Sequence, residues 1–589
     1  MYIEKIASPA DVKKLDMGQL VELADEMRQC LIKRGSIHGG HFGPNLGMVE
    51  ATIALHYVFN SPEDKLVFDV SHQSYPHKML TGRAFAYTDP KRYDEVSGYS
   101  EPTESEHDHF VIGHTSTSVS LASGLAKGRD IVGGCENVVA IIGDGSLSGG
   151  EAFEGLNVGA ELDSNFIVVV NDNQVSIAEN HGGLYRNLQQ LRDTNGEYSD
   201  NYFRTLGYDY LYVGEGNNIE ALVEAFSKVK DSSRPVVVHI NTEKGHGYAP
   251  AVSDKESWHY SGAFDVETGK PVASGGAGED YQSITAEHLL KKMKDDPKVV
   301  AITAGTPAVM GFNKARREQA GRQFVDVGIA EEQAVAMASG IAKAGARPVF
   351  GVFSCFATRA CDQLQQDLCI NGNPAVMLVF WGSMASMNDV THLCWWDIPL
   401  IANVPNMVYL APTNCEEYLA MLDWSLQQTE HPVAIRVPMG AVTHASTPVA
   451  ESYGNINSYE VVKSGSEVAI IGVGHYLQLA LSAASELESR YGINATVINP
   501  RFISGVDTEL MDSLSASHSI VVTLEDGALE GGFGAKIAQH FVPTSMKVLC
   551  RGAKKVFEDR YSLSELLQEF RLTPELIAED VKKVLNYEF

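Results

Sequence analysis

The chain has 589 residues, of which 44% are hydrophobic and 21% are charged. This length exceeds what one hydrophobic core supports, and it predicts roughly three or four domains of about 150 residues each. The composition is that of a globular protein and excludes disordered and collagen-like chains. A formal net charge of -29 would repel nucleic acids and anionic membrane surfaces, so we expect neither as a partner. Any anionic ligand must then be bound by local groups.

The eight cysteines show no C-x-x-C pairing, which favours reduced thiols over a disulfide or zinc framework. They are Cys30, Cys135, Cys355, Cys361, Cys369, Cys394, Cys415 and Cys550. The sequence has no apolar run of about 18 residues and no basic stretch followed by an apolar one near Met1. We therefore expect a cytoplasmic protein.

Two apolar, β-branched runs near the middle of the first half predict buried parallel strands, at residues 136–145 and 165–173. The segment between them, GGEAFEGLNVGAEL, has helical character, which completes a βαβ unit. A third strand is predicted at residues 234–242, after the helix-like NIEALVEAFSKVK.

Glycine-rich and proline-rich segments divide the chain. TGKPVASGGAGED, residues 268–280, predicts a linker, and HASTPVAESYGNINSYE, residues 444–460, predicts a second break. Strand-like and helix-like segments alternate again after each break. The fold class predicted is therefore α/β, with three consecutive α/β domains and mainly parallel sheets. We expect the domains at residues 1–267, 283–444 and 458–589, and the first two to share a topology.

A G-D-G motif and an N-D-N motif each end one of the first two predicted strands. Carboxyl ends of parallel strands are where open α/β sheets bind ligands. Gly143 and Gly145 would let backbone N–H groups approach a diphosphate, and the helix that follows would direct its positive end at this anion. Asp144 and Asn173 supply oxygen ligands suited to Mg²⁺, and the carbonyl of Val175 could add a third. The alternative is that G-D-G is only a turn and N-D-N only a polar loop.

Further segments give the chain its resemblance to the 1-deoxy-D-xylulose-5-phosphate synthase family, whose members are related to transketolase. In chain order they are GGHFGPNLGMVEATIALHYVFNSPEDK, FDVSHQSYPHKMLTGR, GHTSTSVSLASGLA, GDGSLSGGEAFEGLN, NDNQVSI, KGHGYAPA, FVDVGIAEEQAV, FSCFATRACDQ, PNMVYLAP, RFISGVDTELM and TLEDGALEGGFG.

The resemblance implies a thiamine-diphosphate-binding fold that holds thiamine diphosphate and Mg²⁺. The three domains would be a diphosphate and Mg²⁺ domain, a pyrimidine-binding domain and a transketolase C-terminal-like domain. It also implies a homodimer that condenses pyruvate with glyceraldehyde 3-phosphate after decarboxylation, and a role in isoprenoid and thiamine biosynthesis.

Glu331 matches the family's glutamate that engages the aminopyrimidine of the cofactor. Burial should raise its pKa and favour a shared proton with the ring nitrogen. Glu332 and Gln333 depart from the family's A-E-Q-H, and one of the two glutamates could serve only the helix dipole. The remaining cofactor-binding positions implied by the resemblance are His72, His114, Thr115, Ser116, Gly143, Gly145, Ser146, Lys244 and Phe356. For Lys244 a solvated surface charge is the alternative, and for Phe356 a core residue.

Four histidines match catalytic positions of the family: His41, His72, His259 and His392. Histidine transfers protons near neutral pH, which addition to a carbonyl and protonation of an alkoxide both require. A single histidine is more often structural, but these four lie inside matched motifs. We expect them to be catalytic, with His392 also contacting the substrate.

The half of the sequence that would bind the acceptor departs from the family. Arg359 keeps one arginine suited to a phosphate. The family's D-R-A-G has become residues 380–383, Phe-Trp-Gly-Ser, and its P-R-G has become residues 438–440, Pro-Met-Gly. Two lost charge-assisted contacts, at about 1.5 to 3 kcal/mol each, would weaken phosphate binding by two or more orders of magnitude.

Other changes lie in the same part of the sequence. The aspartate of the family's G-A-D-G-P-T-H falls on Asn388, a predicted substrate contact, or on Asp389 if the gap is placed differently. Phe353 replaces a tyrosine, and the loop after Asn180 is shortened. We expect a less charged or more apolar acceptor, in a pocket suited to Trp381, Trp395 and Trp396. The alternative is that basic residues elsewhere compensate.

Three functions remain to be compared. The first is decarboxylative transfer from a 2-oxo acid such as pyruvate to an aldehyde, and the second is ketol transfer as in transketolase, which releases no carbon dioxide. The third is an inactive cofactor-binding or regulatory protein. Asp144, Asn173 and Glu331 are all retained, which argues against the third.

Overall fold

A computed structural model of the chain describes residues 1–272 and 278–586. The chain forms two compact units, one of Met1–Ala277 with Gly328–Ala330 and one of Gly278–Val327 with Glu331–Phe589. The centre of the predicted linker, residues 273–277, lies outside the described residues. Within the part of the chain that is described, no helix has the length and apolarity needed to span a membrane.

The first unit contains a parallel sheet of five strands, called the first sheet, in the order β2-β3-β4-β6-β5. The strands predicted at residues 136–145, 165–173 and 234–242 are confirmed as β3, β4 and β6. The edge strand β5 is half-buried and was not predicted. The strands of this unit are β1 Gly40–His41, β2 Lys65–Phe68, β3 Val138–Gly143, β4 Phe166–Asp172, β5 Asp209–Val213, β6 Pro235–Asn241 and β7 Tyr260–Ser261.

Helices cover both faces of the first sheet. Leu222 and Phe226 pack with Ile167 on one face, whereas Leu156 packs with Val168 on the other. Successive strand residues thus enter two different cores, which explains the continuous apolar runs in the sequence. The helices of this unit are α1 Pro9–Val12, α2 Met17–His38, α3 Gly43–Gly47, α4 Val49–Val58, α5 Tyr75–Lys78, α6 Phe85–Thr88, α7 Ser118–Val132, α8 Gly150–Gly159, α9 Gly183–Asp193, α10 Tyr202–Leu206, α11 Ile219–Val229 and α12 Ala249–Ser253.

The second unit begins with a parallel sheet of six strands, called the second sheet, in the order β12-β13-β11-β10-β8-β9. Its strands are β8 Val299–Thr303, β9 Phe324–Asp326, β10 Arg347–Phe353, β11 Val376–Phe380, β12 Val408–Leu410 and β13 Val433–Arg436. Its helices are α13 Tyr281–Asp295, α14 Lys314–Ala320, α15 Glu331–Lys343, α16 Ser354–Ala357, α17 Cys361–Gln363, α18 Asp397–Ile401 and α19 Cys415–Gln427.

The first and second sheets share one strand order. When the short edge strand β9 is set aside, the strands of each sheet run first, second, third, fifth, fourth in chain order. The predicted common topology is therefore confirmed. It places β10 and β11 where the first sheet has β3 and β4.

The second unit also contains a third sheet of five strands, in the order β14-β16-β15-β17-β18, with only β14 antiparallel. Its strands are β14 Glu460–Lys463, β15 Glu467–Gly472, β16 Thr496–Asn499, β17 His518–Ala528 and β18 Lys547–Ala553. Its helices are α20 Leu477–Tyr491, α21 Thr508–Leu514, α22 Phe533–Phe541, α23 Leu563–Glu569 and α24 Pro574–Asn586. The predicted α/β class with mainly parallel sheets is confirmed, whereas the three domain boundaries stay predictions.

A buried ion pair links the second and third sheets. Arg436, in β13, donates from Nε to Asp397 Oδ2 at 2.7 Å, and the Tyr409 hydroxyl donates to the same oxygen at 2.6 Å. Arg436 also donates to the carbonyl of Asp526 in β17. Asp397 is 1% exposed and Arg436 is 4% exposed, so neither charge is solvated. Each charge therefore depends on the other.

We predict that Asp397→Ala lowers the free energy of unfolding of the second unit by about 3 to 5 kcal/mol, because it leaves a buried guanidinium unpaired. Urea unfolding followed by tryptophan fluorescence measures this, since Trp381, Trp395, Trp396 and Trp424 all lie in that unit. The double variant Asp397→Ala/Arg436→Met should recover part of the loss. Equal stability of Asp397→Ala and the native chain would contradict the prediction.

Candidate functional site

Asp144 lies directly after β3 and is 2% exposed. Its Oδ2 accepts a hydrogen bond from Asn180 Nδ2 at 2.8 Å, and its backbone N–H donates to the Asn171 carbonyl at 3.0 Å. Burial, and then the nearby carboxylate of Asp172, raise the pKa of Asp144 well above its usual range. A cation beside this carboxylate would offset both effects, which fits a metal ligand.

Asn173 ends the neighbouring strand at the same end of the first sheet, because Gly143 pairs with Asn171 in the β3–β4 register. Its Oδ1 accepts from the Val175 N–H at 3.4 Å, within a turn where Gln174 has a φ of 72°. Asp144, Asn173 and the carbonyl of Val175 thus belong to two adjacent strand ends. Two side-chain oxygens and a carbonyl suit Mg²⁺, which takes its other ligands from phosphate and water.

The glycines of the G-D-G motif have different roles. A Cβ on Gly145 would lie 2.5 Å from the Cβ of Ser176, so only glycine lets this turn pack against the segment after β4. A Cβ on Gly143 would meet no atom within 4 Å, so open space lies beside this strand end. A close turn next to open space fits the predicted approach of a diphosphate.

The shortened loop after Asn180 leads directly into α9, which begins at Gly183. The Tyr185 hydroxyl in this helix donates to the carbonyl of Gly145 at 3.2 Å. Asn180 and Tyr185 therefore both contact the G-D-G turn. Neither contact could be predicted from the sequence, since both depend on how the loop folds back.

The G-H-T-S-T-S loop is fixed by a buried aspartate that the sequence reading missed. Asp69, 0% exposed, accepts from the backbone N–H groups of Ser116 and Ser118, each at 2.9 Å. Ser116 in turn donates from Oγ to the carbonyl of Ser146 at 2.8 Å. This ties the loop to the residue after the G-D-G motif. His114, Thr115 and Thr117 of this loop are partly exposed.

Lys244 is 2% exposed, so the reading of it as a solvated surface charge is wrong. Its Nζ donates to the Ser176 carbonyl at 2.6 Å and lies 3.2 Å from His259 Nδ1. Burial lowers the pKa of Lys244 to about 7, although the carboxylate of Asp144 opposes this shift. Lys244 is therefore a buried donor within the first unit, and not a surface residue.

Three of the four predicted catalytic histidines come together in the first unit. The ring centres of His41 and His72 are 5.0 Å apart, those of His72 and His259 are 5.2 Å apart, and those of His41 and His259 are 5.7 Å apart. The two-residue ribbon β1–β7 pairs His41 with Tyr260 and so brings two distant motifs together. Burial, and then Lys244, lower the pKa of His259 well below its usual range. His259 is thus a neutral imidazole near pH 7.

Asn45 positions this histidine cluster and was not predicted. Its Nδ2 donates to the carbonyls of His41 at 2.7 Å and of His72 at 2.8 Å, while its Oδ1 accepts from the Tyr75 N–H at 2.9 Å. It is 1% exposed. A buried asparagine inside the GGHFGPNLG motif was the available signal, because such a side chain needs several hydrogen-bond partners.

Glu331 is the first residue of α15 and is 3% exposed. Burial raises its pKa to about 7, although the nearby guanidinium of Arg359 opposes the shift. Its neighbours differ, since Glu332 is partly exposed and Gln333 is exposed. The expected burial and raised pKa are therefore found at Glu331, which favours it over Glu332 as the carboxyl that shares a proton with the cofactor.

Arg359 was predicted to bind the phosphate of an acceptor. Its Nη1 lies 3.4 Å from Glu331 Oε2, an ion pair in which both side chains are largely buried. The arginine is thus shared with the carboxyl proposed to activate the cofactor. Its charge is partly compensated before any substrate binds.

Four side chains at the carboxyl end of the second sheet form a row of rings, called the aromatic row: Phe353, Phe356, Trp381 and His392. The ring centres are 4.8 Å apart for Trp381 and Phe353, 5.5 Å for Phe353 and Phe356, and 5.7 Å for Phe356 and His392. Each pair meets edge to face, which is favourable for aromatic rings. Phe356 is only half-buried, at the border of the core of the second unit.

The expectation that Trp395 lines the acceptor pocket is wrong. Trp395 is 0% exposed and packs in a core with Leu566 and Phe570, between β17 and the last helices. Trp396 is partly buried against the same core. Both indoles therefore stabilise the second unit. Of the three tryptophans considered, only Trp381 belongs to the aromatic row.

Asn388 and Asp389 were alternatives for one substrate contact. Asn388 is exposed, and its Nδ2 donates to the carbonyl of Tyr561 at 3.2 Å. Asp389 instead lies beside His392, with Oδ1 3.8 Å from His392 Nδ1, and Thr391 Oγ1 lies 2.8 Å from this nitrogen. The structure therefore favours Asp389, because it contacts the predicted catalytic histidine.

Two family models first define the class of the chain, which is that of transketolase-like proteins. Residues 278–444 match the transketolase pyrimidine binding domain, and residues 457–577 match the transketolase C-terminal domain. A split-gene transketolase in an inactive tetramer aligns with a TM-score of 0.45 and 25% identity, over 52% of this chain and 99% of its own. Transketolase from Leishmania mexicana aligns with a TM-score of 0.44 and 15% identity, over 97% of each chain.

The family follows from the remaining matches. Residues 3–200 match the family described as 1-deoxy-D-xylulose-5-phosphate synthase. The synthases of Carboxydothermus hydrogenoformans and Halalkalibacterium halodurans are each 36% identical to this chain over 99% of it and 99% of their own length. The synthase 1 of Geobacter sulfurreducens is 37% identical over 91% of this chain and 90% of its own. The chain belongs to the 1-deoxy-D-xylulose-5-phosphate synthase family, so the predicted resemblance and the prediction of an enzyme are confirmed.

We predict that Glu331→Gln changes how stability depends on pH. A folded-state pKa of about 7 lies above the ordinary value of 4.5, so the native protein retains a proton that the unfolded chain loses between these pH values. Native stability should then fall with rising pH across this interval, by about 3 kcal/mol in total. The variant lacks this contribution. From pH 4 to pH 8, its free energy of unfolding should therefore rise relative to that of the native chain by about 3 kcal/mol.

Urea unfolding at pH 4, 6 and 8, without added cofactor, measures the effect. Glu332→Gln is the matched control, because Glu332 is the less buried neighbour, and its stability should follow that of the native chain. Parallel pH curves for Glu331→Gln and the native chain would rule out the raised pKa.

Proposed function

We propose that this enzyme uses thiamine diphosphate and Mg²⁺ to condense pyruvate with an aldehyde. The observation that carries the proposal is Glu331, a buried carboxyl with a pKa of about 7 at the start of α15. Pyruvate, the aldehyde and one proton give carbon dioxide and a 2-hydroxy ketone. The bound cofactor supplies an acidic carbon that stabilises the two-carbon unit left after decarboxylation.

The residues of the first unit fit the charged part of this cofactor. Asp144, Asn173 and the carbonyl of Val175 would hold Mg²⁺, and the backbone at Gly143 and Gly145 would receive the diphosphate. Mg²⁺ suits the raised pKa of Asp144, because a divalent cation favours the charged carboxylate. The polar groups that would complete the binding of the cofactor are His72, His114, Thr115, Ser116, Ser146 and Lys244.

The residues of the second unit fit the aromatic part. Glu331 would share its proton with the ring nitrogen, which a carboxyl with a pKa near 7 can do at neutral pH. Phe356, half-buried in the aromatic row, offers a ring face for stacking. Arg359 would keep Glu331 in place through the hydrogen bond from its Nη1 to Glu331 Oε2.

The histidines would move protons around the reacting carbonyl. His259 would take part as a neutral imidazole, because its pKa is lowered, and His41 and His72 lie next to it. His392, next to Asp389, would donate a proton to the oxygen of the aldehyde as the new bond forms. Histidine is suited to both directions of transfer near neutral pH.

The family and these residues support several wider proposals. We propose three domains at residues 1–267, 283–444 and 458–589, a homodimer and a cytoplasmic location. With the family's acceptor, the product would serve isoprenoid and thiamine biosynthesis. The family's donor is proposed to be pyruvate, and glyceraldehyde 3-phosphate is its expected acceptor. Ketol transfer is the second candidate, and carbon dioxide release separates the two reactions.

We predict that Glu331→Gln lowers the rate of carbon dioxide release from pyruvate by about 100-fold or more, because it removes the acid that activates the cofactor. Carbon dioxide is measured from pyruvate labelled at C1, with saturating thiamine diphosphate and Mg²⁺. Glu332→Gln serves again as the control. If the native enzyme released no carbon dioxide while transferring ketol groups between sugar phosphates, the transketolase reaction would replace our proposal.

We predict that Asp144→Asn raises the Mg²⁺ concentration needed for half-maximal activity about tenfold or more, because one anionic ligand is lost. Titration with Mg²⁺ at fixed cofactor, followed by tryptophan fluorescence and by carbon dioxide release, measures this. Asn180→Ala should show a smaller increase, since it removes only the hydrogen bond to Asp144. Gln189→Ala, at an exposed position of α9, should show none.

A further inference from the structure

We propose that the acceptor of this enzyme is an unphosphorylated aldehyde with an apolar side chain, and that Trp381 and Phe353 of the aromatic row select it together with Met439. The proposal rests on the proposed function, because it specifies the second substrate of that reaction. It concerns selectivity only. The donor and the cofactor are left as proposed above.

The strand register places the selecting side chains together. Phe353 pairs with Phe380 in the β10–β11 register, and Val379 pairs with Arg436 in the β11–β13 register. Trp381 and Met439 therefore follow the ends of adjacent parallel strands, and Phe353 ends the strand on the other side. Met439, three residues after β13, is partly exposed. Ligands of parallel α/β sheets bind at this end of the strands.

Trp381 is held in a fixed orientation. With the amide of Gln282 oriented to accept, the indole Nε1 donates to its oxygen at 2.8 Å, and Phe353 packs edge-on at 4.8 Å. Its backbone has a φ of 60°, a left-handed conformation that is rare for a bulky residue. Strained positions of this kind cluster at binding sites. A tryptophan fixed at its backbone, its nitrogen and its ring presents a rigid apolar surface.

The charges nearby disfavour a phosphate. Arg359 is paired with Glu331, and Arg436 is buried against Asp397. Both guanidinium groups are thus engaged by carboxylates of the protein. Burial opposes ionisation of Asp389, but hydrogen bonds from His392 and Thr391 outweigh it and lower the pKa of this carboxyl. A phosphate dianion would therefore face an anionic Asp389, while Arg436 is buried and Arg359 already donates a hydrogen bond to Glu331.

An apolar acceptor avoids these costs. Its side chain would lie against Trp381, Phe353 and Met439, where apolar surface is removed from water. Its carbonyl oxygen would point toward His392 at the other end of the aromatic row. The row thus offers an apolar surface at one end and a proton donor at the other, as an aldehyde of this type requires.

The bond changes balance without a further reactant. The bond between C1 and C2 of pyruvate breaks, C1 leaves as carbon dioxide, and the electron pair forms the new bond from C2 to the aldehyde carbon. The aldehyde oxygen takes one proton. Pyruvate anion, aldehyde and one proton thus give carbon dioxide and a neutral 2-hydroxy ketone.

The test compares three acceptors with pyruvate as donor: glyceraldehyde 3-phosphate, glyceraldehyde and phenylacetaldehyde. The first pair differs only in the phosphate, and the third carries an aromatic side chain. We expect kcat/KM for phenylacetaldehyde to exceed that for glyceraldehyde 3-phosphate at least tenfold, and glyceraldehyde to be used at least as well as its phosphate. A tenfold or greater preference for glyceraldehyde 3-phosphate over both would overturn the proposal.

A variant with arginines at positions 381 and 439 tests whether these residues determine the choice of acceptor. In Trp381→Arg/Met439→Arg, the ratio of kcat/KM for glyceraldehyde 3-phosphate to that for glyceraldehyde should rise at least tenfold. Met546→Arg, which adds one arginine at another partly exposed methionine, should leave this ratio unchanged. Circular dichroism and thermal unfolding verify that the variants fold. If the double variant does not fold, Trp381→Leu should lower kcat/KM for phenylacetaldehyde at least tenfold relative to glyceraldehyde.

Donor chemistry is measured separately, so that the two proposals can fail independently. Carbon dioxide release from pyruvate with 2,6-dichlorophenolindophenol as oxidant needs no aldehyde. No release in this assay would contradict the proposed function. Release in this assay, together with a strict preference for the phosphorylated acceptor, would contradict only the inference about the aromatic row.

Discussion

Burial of carboxyl groups at the ends of parallel strands and at a helix start is the constraint on which the proposed chemistry depends. Asp144 follows β3 and Glu331 begins α15, and water reaches neither. In water both would be ordinary acids, ionised at neutral pH without need of a partner. Within the protein, desolvation makes the first depend on a cation and lets the second keep its proton. The same physical effect thus prepares one carboxyl to bind a metal and the other to share a proton.

The parallel sheets make this burial possible. Helices on both faces leave only the carboxyl ends of the strands open, so polar groups placed there are surrounded by protein on most sides. Asp69, directly after β2, uses this position to fix a distant loop through the backbone N–H groups of Ser116 and Ser118. Asn45, in α3, joins the backbone carbonyls of His41 and His72. The histidines and the G-D-G turn are therefore held by neighbours that take no part in the chemistry.

Much of the fold and part of the site could be predicted from the sequence. Buried strands are continuous apolar runs, and the motifs end them, so Asp144, Asn173 and Glu331 could be placed on their elements. Asn45, Asp69 and Asn180 could not, because their partners are chosen by tertiary packing. The exposure of individual side chains could not be predicted from the sequence either. Lys244 looks like a surface charge and Trp395 like a pocket residue, yet both are buried, and no local pattern distinguishes the two cases.

The common strand order of the first and second sheets has an evolutionary consequence. Position for position, the strand end that carries Asn173 in the first sheet carries Trp381 in the second. If both sheets descend from one duplicated unit, the two copies have since diverged in function. The first sheet has oxygen ligands at this strand end, and the second has an aromatic side chain. Substitutions in the second copy can then change which aldehyde is used while the metal ligands stay intact. A duplicated fold of this kind can diversify its substrates without losing its cofactor.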